Sequence, residues 1–419
     1  MPDKKVLFIA PFWDQPPHVG IYRTSRYINW FLDAGFDVTV IRAGLKSDTY
    51  NSGQIEVIQI KHTISILNKI VFNIADKLSL RILKLLWNKF VYYTTIPDDL
   101  GGWSKKVSKS DAVIEAAKKA NLIISTSPPN SAHLAGMYLA EKLTIDHLVD
   151  LRDGWIDEPL RKYLVKENIR KRYEEKLERN MLANAAHIIV TSQNWKTLLQ
   201  NRIPEMKNKI TVITNAYPEL KLPEVIKGTK KNSIDLLYAG NFRGNEQISR
   251  LEAMLIALDP DKIYLDKVIK IKFYGIKGIR ENTILKKYES KFDNSRIQLL
   301  FKEPVTRESL LKEMMLADGL LLPSISKSAI PSKTFEYIVT QKPVLVITMR
   351  ESSTWQMCDE LEAFYKFEIL GEITDYTDVN RFLEDISYRY ISANIPEKYS
   401  SAYLRKKFFE SLNLRKIDE

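Results

Sequence analysis

At 419 residues the chain is about twice the size at which one hydrophobic core stops growing efficiently, so two domains are expected. With 45% apolar and 27% charged residues it is neither disordered nor fibrous, and 63 Lys plus Arg against 52 Asp plus Glu (net +11) favour an anionic partner: nucleic acid, a phosphorylated small molecule or an acidic membrane surface. The single Cys358 excludes an intramolecular disulfide or a multi-cysteine metal cluster and points to a reducing, cytoplasmic compartment.

In chain order, Lys4 to Phe12 (KKVLFIAPF) is a short apolar run typical of a buried parallel strand, and its core is too short for a signal peptide. The following loop holds His18 and Gly20, where a glycine lets an acceptor or a diphosphate come close or simply makes a turn. A helix with Ile28, Phe31 and Leu32 on one face ends at Gly35, and FDVTVIRAG supplies the second strand. From Thr63 to Tyr93 the chain is rich in Leu, Ile, Phe, Trp and Tyr. Lys69, Asp76, Lys77, Arg81, Lys84 and Lys89 interrupt it too often for a membrane span. That spacing predicts an amphipathic helix, either lying on an anionic membrane surface or packed on its own domain with a solvated basic face.

Further strands are predicted at Gln54 to Ile60, Asn121 to Thr126, His147 to Leu151, His187 to Thr191 and Ile210 to Thr214. AYPELKLPEVIKGTKKNS then reads as a linker. A second series follows, with strands at Ile234 to Ala239, Val268 to Tyr274, Ile297 to Phe301, Gly319 to Leu322 and Pro343 to Ile347. Helices are predicted at 247–258 and 307–316. The organisation expected is α/β, with two Rossmann-like doubly wound domains facing across a cleft: residues 1–217 (carrying the amphipathic segment 63–93), a linker over 218–232, a second domain over 233–395, and a C-terminal helix in 396–419 crossing back to the first. No internal repeat is legible.

No GxGxxG, GxxxxGK[ST] or GxSxG occurs, which argues against NAD-binding, P-loop and nucleophile-elbow chemistry. The strongest positive signal is SISKSAIPSKTFEYIVTQKPVLV (Ser324 to Val346), in which Pro331 opens a short helix leading into a buried strand. Ser332, Lys333 and Thr334 at that entrance would offer backbone amides at the positive end of the helix dipole, which suits a diphosphate. Lys333 adds a full charge there, and Glu336, one turn in, could accept hydrogen bonds from a vicinal diol. An ordinary capped helix with solvent-facing Lys and Glu is the alternative.

The string PSKTFEYIVTQKPVL is similar to the donor-binding segment of glycosyltransferase family 4 and its relatives, two-domain enzymes of the GT-B fold that use nucleotide sugars. STSPPNSAHLAG (Ser125 to Gly136), VDLRDGW (Val149 to Trp155) and YAGNFRG (Tyr238 to Gly244) resemble further segments of the same group in the same order. The sequence departs from the group in three places: Ser328 replaces the first carboxylate of Glu-x7-Glu, Arg243 stands alone where a basic pair is usual, and Gly154 replaces Pro.

The resemblance implies a sugar moved from a nucleoside-diphosphate donor, most simply a UDP-sugar, to a glycan or lipid-linked acceptor in surface polysaccharide biosynthesis. It implies retention of configuration, no metal and no separate cofactor. Asp153, Lys333 and Arg243 become the expected catalytic residues, and Gly240, Asn241, Ser332, Thr334 and Glu336 the donor site. Gly20, His18, Arg152 and Trp155 fall on the acceptor side. His133 is expected to pack or cap locally, and Asp259-Pro260-Asp261 to form a turn rather than a metal site. A sugar-nucleotide epimerase of the same fold is the alternative. Nucleic-acid binding is not expected, since the charge is spread along the chain rather than gathered on one face.

Overall fold

Parallel strands covered on both faces need apolar side chains at successive positions, and the short Val, Ile, Leu and Phe runs of this chain build two such sheets. The computed structural model describes residues 4–14, 20–77, 80–157, 168–219, 232–240, 249–264, 267–275, 279–293, 295–369, 371, 375–388 and 394–412. Its contacts divide the chain into two units: unit 1 is Met1–Thr191, Trp195–Ile213 and Arg405–Glu419, and unit 2 is Ser192–Asn194 and Thr214–Leu404.

Unit 1 contains β1 (Lys5–Ile9), α1 (Gly20–Asp33), β2 (Asp37–Gly44), β3 (Asp48–Ser52) and β4 (Ile55–Lys61). There follow α2 (Thr63–Lys77), α3 (Arg81–Thr94), α4 (Gly101–Val107), α5 (Asp111–Lys118), β5 (Leu122–Ser127), α6 (Ser131–Leu143) and β6 (His147–Leu151). The series continues with α7 (Asn168–Asn184), β7 (His187–Val190), α8 (Gln193–Arg202, its first two residues grouped with unit 2) and β8 (Ile210–Val212). The sheet order is β3-β4-β2-β1-β5-β6-β7-β8, parallel except for β3, which runs antiparallel to β4. β3 was not predicted; its sequence DTYNS is polar, and a tight turn at Gly53 (φ +62°) folds it against β4.

The single amphipathic helix expected over 63–93 is instead an antiparallel pair, α2 and α3. The two are tied by the Trp87 indole donating to Asn68 Oδ1 (2.6 Å) and by the Lys84–Asp76 ion pair (2.5 Å).

Unit 2 contains β9 (Ser233–Ala239), α9 (Arg250–Ala257), β10 (Val268–Tyr274), α10 (Ile279–Asp293), β11 (Ile297–Lys302), α11 (Arg307–Leu316) and β12 (Gly319–Ser324). It goes on with α12 (Lys333–Thr340), β13 (Val344–Thr348), α13 (Ser353–Cys358), β14 (Phe364–Glu368), α14 (Thr377–Tyr388) and the start of α15 (Ser401–Ser411). All six strands are parallel in the order β11-β10-β9-β12-β13-β14. Counted from β9 this is 3-2-1-4-5-6, the dinucleotide-fold order, with the reversal between β9 and β12. Along β9, Leu236 and Tyr238 pack into one core layer and Leu237 and Ala239 into the other, so both faces are covered. β14 was not predicted.

The end of α15 belongs to unit 1, where Phe408 and Phe409 join an aromatic cluster with α1. The ring of Phe408 lies 4.7 Å from Tyr27 and 5.6 Å from Trp30, and that of Phe409 5.2 Å from Phe31. The Phe409–Phe31 pair is edge-on, a geometry that adds about 0.5–1.5 kcal/mol beyond burial, and the two Phe408 pairs are tilted.

Candidate functional site

In an open parallel sheet a ligand binds outside the carboxyl ends of the strands where their order reverses. In unit 2 that point is the end of β9, and it is held by α12. Lys333 and Tyr337, one helical turn apart on the same face of α12, grip both polar groups of Ala239, the last residue of β9. The Lys333 ammonium donates to the Ala239 carbonyl, and the Ala239 N–H donates to the Tyr337 hydroxyl (3.3 Å).

Gly240 follows with φ +143°, and a Cβ there would stand 2.1 Å from Lys333 Nζ. Only glycine suits both the backbone and the ammonium at this position. Lys333 Nζ also lies 4.3 Å from the centre of the Tyr238 ring. Burial pushes the Lys333 ammonium down to about 7; the nearby Arg250 guanidinium adds to this and Glu336 opposes it. Arg250, at the start of α9, also pairs with the Tyr238 hydroxyl, which burial drives up to about 12 despite that cation. Two cations thus converge at the carboxyl end of β9.

Sequence reading found Lys333 and Gly240 but missed Arg250, Tyr238 and Tyr337, because nothing local marks them and only the fold brings them together. Asn241 and Arg243 lie outside the described residues.

Other donor-side expectations need correction. The amides at the entrance of α12 are not all open: Thr334 N–H closes a turn onto Pro331 O (3.0 Å) and Phe335 N–H onto Ser332 O (3.2 Å). Thr334 is fully buried and its hydroxyl has no hydrogen-bond partner, so it faces the interior rather than a ligand. Ser332 is exposed at the N-cap without a side-chain cap bond. Glu336 is half-buried and its carboxylate accepts a hydrogen bond from Arg307 at 2.7 Å, so a diol would have to share or displace that guanidinium. Ser328, at the place of the absent carboxylate, is buried, and its carbonyl accepts a hydrogen bond from Ser192. Asp259 and Asp261 both bind Lys291 (2.7 and 3.1 Å), which occupies them as a turn.

In unit 1 the VDLRDGW segment divides its polar residues between interior and surface. Asp150, in β6, is fully buried and receives a two-pronged hydrogen bond from Arg23 of α1 (3.1 and 2.8 Å). Thr126 donates to its other oxygen (3.1 Å), and Arg23 also reaches the Ile213 carbonyl (2.9 Å). Burial alone would lower the Arg23 guanidinium, but Asp150 and Tyr27 more than reverse this and hold it charged.

Arg152 is committed to backbone: its Nε donates to the carbonyl of Ser127, the last residue of β5, and its own carbonyl accepts from Thr191 (3.1 Å). Asp153 is left exposed beyond the carboxyl end of β6. Gly154 leaves room for the Trp195 ring, which would stand 2.0 Å from any Cβ placed there, and this accounts for glycine where proline was expected.

Trp155 lies in the core at 1% exposure, with its indole donating to Glu174 (2.9 Å). It therefore props the Asp153 loop from below rather than meeting an acceptor. Glu174 in turn binds Arg170 (2.8 Å), which reaches the carbonyls of Tyr92, Thr95 (3.0 Å) and Pro97 at the root of the α2–α3 hairpin. Gly20 is the first residue of α1, and His18 lies outside the described residues. His133 is buried and bonded to Ser125 Oγ (2.7 Å), a core role.

No protein-family model matches the sequence, and no curated protein matches it either. Solved structures do match over nearly the whole chain. A sucrose-phosphate synthase from Thermosynechococcus elongatus is 14% identical, with 99% of this chain and 98% of that one covered at a TM-score of 0.63. The lipopolysaccharide outer core galactosyltransferase WaaB is 12% identical over 98% and 99% of the two chains, TM-score 0.59. Anabaena HepE in complex with UDP and glucose is 12% identical over 99% and 97%, TM-score 0.54. The fold is GT-B. At these identities the likeness is one of architecture, and the chemistry must be argued from the residues of the GT-B units themselves. Among the described residues no helix is long and apolar enough to cross a membrane, and no group of three His, Cys, Asp or Glu side chains could hold a metal ion.

Proposed function

We propose that this GT-B protein is a glycosyltransferase that moves a sugar from a nucleoside-diphosphate donor, a UDP-sugar, to a glycan or lipid-linked acceptor in surface polysaccharide biosynthesis. It acts with retention, without metal, and on the cytoplasmic face of an anionic membrane. The observation that carries the reading is the Lys333 ammonium above Gly240 at the switch point of unit 2, beside Arg250. Breaking the bond from an anomeric carbon to a diphosphate builds charge on the β-phosphate, and fixed cations at a strand end are placed to neutralise it. The architecture shared with a galactosyltransferase and with a UDP complex supports that choice of donor.

Lys333 and Arg250 bind and stabilise the departing phosphate, and Glu336 orients the ribose once Arg307 gives way. Asp153, exposed beyond β6, is the carboxylate that orients the acceptor or the donor sugar. In a retaining reaction the departing phosphate itself can take the acceptor's proton, so no separate protein base is required.

The test is thermal unfolding of wild type, Lys333→Ala and Glu336→Ala against nucleoside mono- and diphosphates. A ligand at 100 times its Kd adds about 2.7 kcal/mol, a shift of a few degrees. UDP is expected to stabilise the wild type and neither variant, and Lys333→Ala is expected to lower turnover at least about a hundredfold. A wild type stabilised by no diphosphate would overturn the proposal. So would an inverted product linkage by NMR for retention, or conversion of a nucleotide sugar without any acceptor, the mark of an epimerase.

A further inference from the structure

A cavity of about 540 Å³ opens in unit 1 at the root of the α2–α3 hairpin. It lies within the size range of small-ligand sites. Both ends of the hairpin line it, through Thr63 and Ile64 at the start of α2 and Thr94 at the end of α3. Its inner wall is apolar, from Leu134 and Tyr138 of α6 and Leu177 of α7. Its rim carries two exposed cations, Lys105 and Lys106 of α4, and Lys106 Nζ sits 2.7 Å from Thr63 Oγ1. Asp99 is the acidic residue of the lining; its backbone carbonyl meets His62 (2.9 Å), and burial drives its carboxyl up.

Among the described residues of unit 1, the hairpin at this opening carries most of the exposed large apolar side chains. Ile82, Leu85, Leu86 and Phe90 of α3 are 70, 68, 60 and 55% exposed, and Ile70 and Ile74 of α2 are 50 and 45% exposed. Lys84 and Lys89 lie among them. An apolar chain in contact with that surface therefore meets, at the hairpin's root, an apolar cavity with basic residues at its mouth.

We propose that this cavity binds an amphiphile consisting of one long apolar chain and a phosphate, the chain against Leu134, Tyr138 and Leu177 and the phosphate at Lys105 and Lys106. This deepens the lipid-linked acceptor reading given above and rests on it. The location also connects the ligand to the acceptor side: Thr95 lines the cavity, and its carbonyl is held by Arg170, whose partner Glu174 bonds Trp155 beneath the Asp153 loop.

Gly102 gives the site a clean probe, since it lines the cavity and a Cβ there meets no atom within 4 Å. The experiment is calorimetry of the full chain with dodecyl phosphate below its micelle concentration. Saturable one-to-one binding is expected for wild type, weakened at least tenfold by Gly102→Trp and at least fivefold by Lys105→Gln with Lys106→Gln. Inorganic phosphate and dodecanol are expected to bind at least tenfold more weakly. A hairpin variant, Leu85→Ser with Leu86→Ser and Phe90→Ser, should lose sedimentation with phosphatidylglycerol vesicles yet keep dodecyl phosphate binding.

Unchanged affinity in both the Gly102 and the double-lysine variants would overturn the proposal, as would binding of inorganic phosphate as tight as that of the amphiphile. Loss of amphiphile binding in the hairpin variant would also overturn it, because the exposed surface and not the cavity would then be the site. Wild type that binds dodecyl phosphate but fails to sediment with vesicles would leave the cavity standing and remove membrane attachment. Absence of UDP binding would remove the transferase reading alone.

Discussion

Lys333 unites the structure and the chemistry of unit 2 in one atom. Its ammonium satisfies the last carbonyl of β9, yet burial and Arg250 hold it down to about 7, so in the free protein near neutral pH the charged and neutral forms coexist. An anionic diphosphate favours the charged form. The sign of the pH dependence follows: near and below 7 the ammonium is already present and Lys333 adds no further pH dependence to UDP binding, whereas above it binding must take up a proton and Kd rises, about tenfold per pH unit. Calorimetry at pH 8 in buffers of different ionisation enthalpy should therefore show uptake approaching one proton, absent in Lys333→Ala. A Kd unchanged between pH 7 and 9 would separate Lys333 from the phosphate. At this scale the sequence pointed to the entrance of α12 because Pro331 to Glu336 are neighbours along the chain, and of the side chains named there Lys333 is the one that reaches the end of β9. It was silent on Arg250 and Arg307, because their partners Tyr238 and Glu336 lie 12 and 29 positions away and no local pattern records the pairing.

At the scale of elements, buried parallel strands announce themselves as unbroken apolar runs, which is why β1, β6, β9 and β10 fall within a residue or two of their predicted limits apart from the longer run read at β1. β14 alternates half-buried and buried positions at the sheet edge and carries no such run. The break between α2 and α3 was illegible for another reason: Asp76 to Arg81 contains no Gly or Pro to mark it.

The join between α1 and β6 was hidden as well, since a lone Arg23 in a helix does not reveal that it will be 3% exposed against a fully buried Asp150. A buried pair of this kind contributes little over an apolar replacement, but half of it left alone is costly, about 3–5 kcal/mol. Asp150→Asn is therefore expected to destabilise unit 1 by that amount in urea unfolding, and Arg23→Met with Asp150→Leu to recover most of it. A loss under about 1 kcal/mol in the single variant would mean that water reaches Arg23.

Across the whole molecule the two sheets repeat one another in a way the sequence does not. Without its antiparallel edge strand, the sheet of unit 1 runs β4-β2-β1-β5-β6-β7-β8, and that of unit 2 runs β11-β10-β9-β12-β13-β14, the same winding from a central first strand. No repeat is legible in the residues because a doubly wound sheet asks for apolar runs and turns in order, not for particular side chains. The chain nevertheless ties its ends together with specific ones. Leu404 is grouped with unit 2 and Arg405 onward with unit 1, where Phe408 is fully buried against Tyr27, Trp30 and Phe31. Truncating such a phenylalanine costs about 3–5 kcal/mol through lost burial and the cavity left behind. The α1 helix should feel that loss first, since three of the ring's neighbours stand on it. Phe408→Ala is therefore expected to speed amide hydrogen exchange in α1 and β1 by two or more orders of magnitude, while the strands β9 to β14 keep wild-type protection. Equal acceleration in both units would show that they open as one cooperative body, and no acceleration in α1 would show that the last turns of α15 are dispensable to the core they cover.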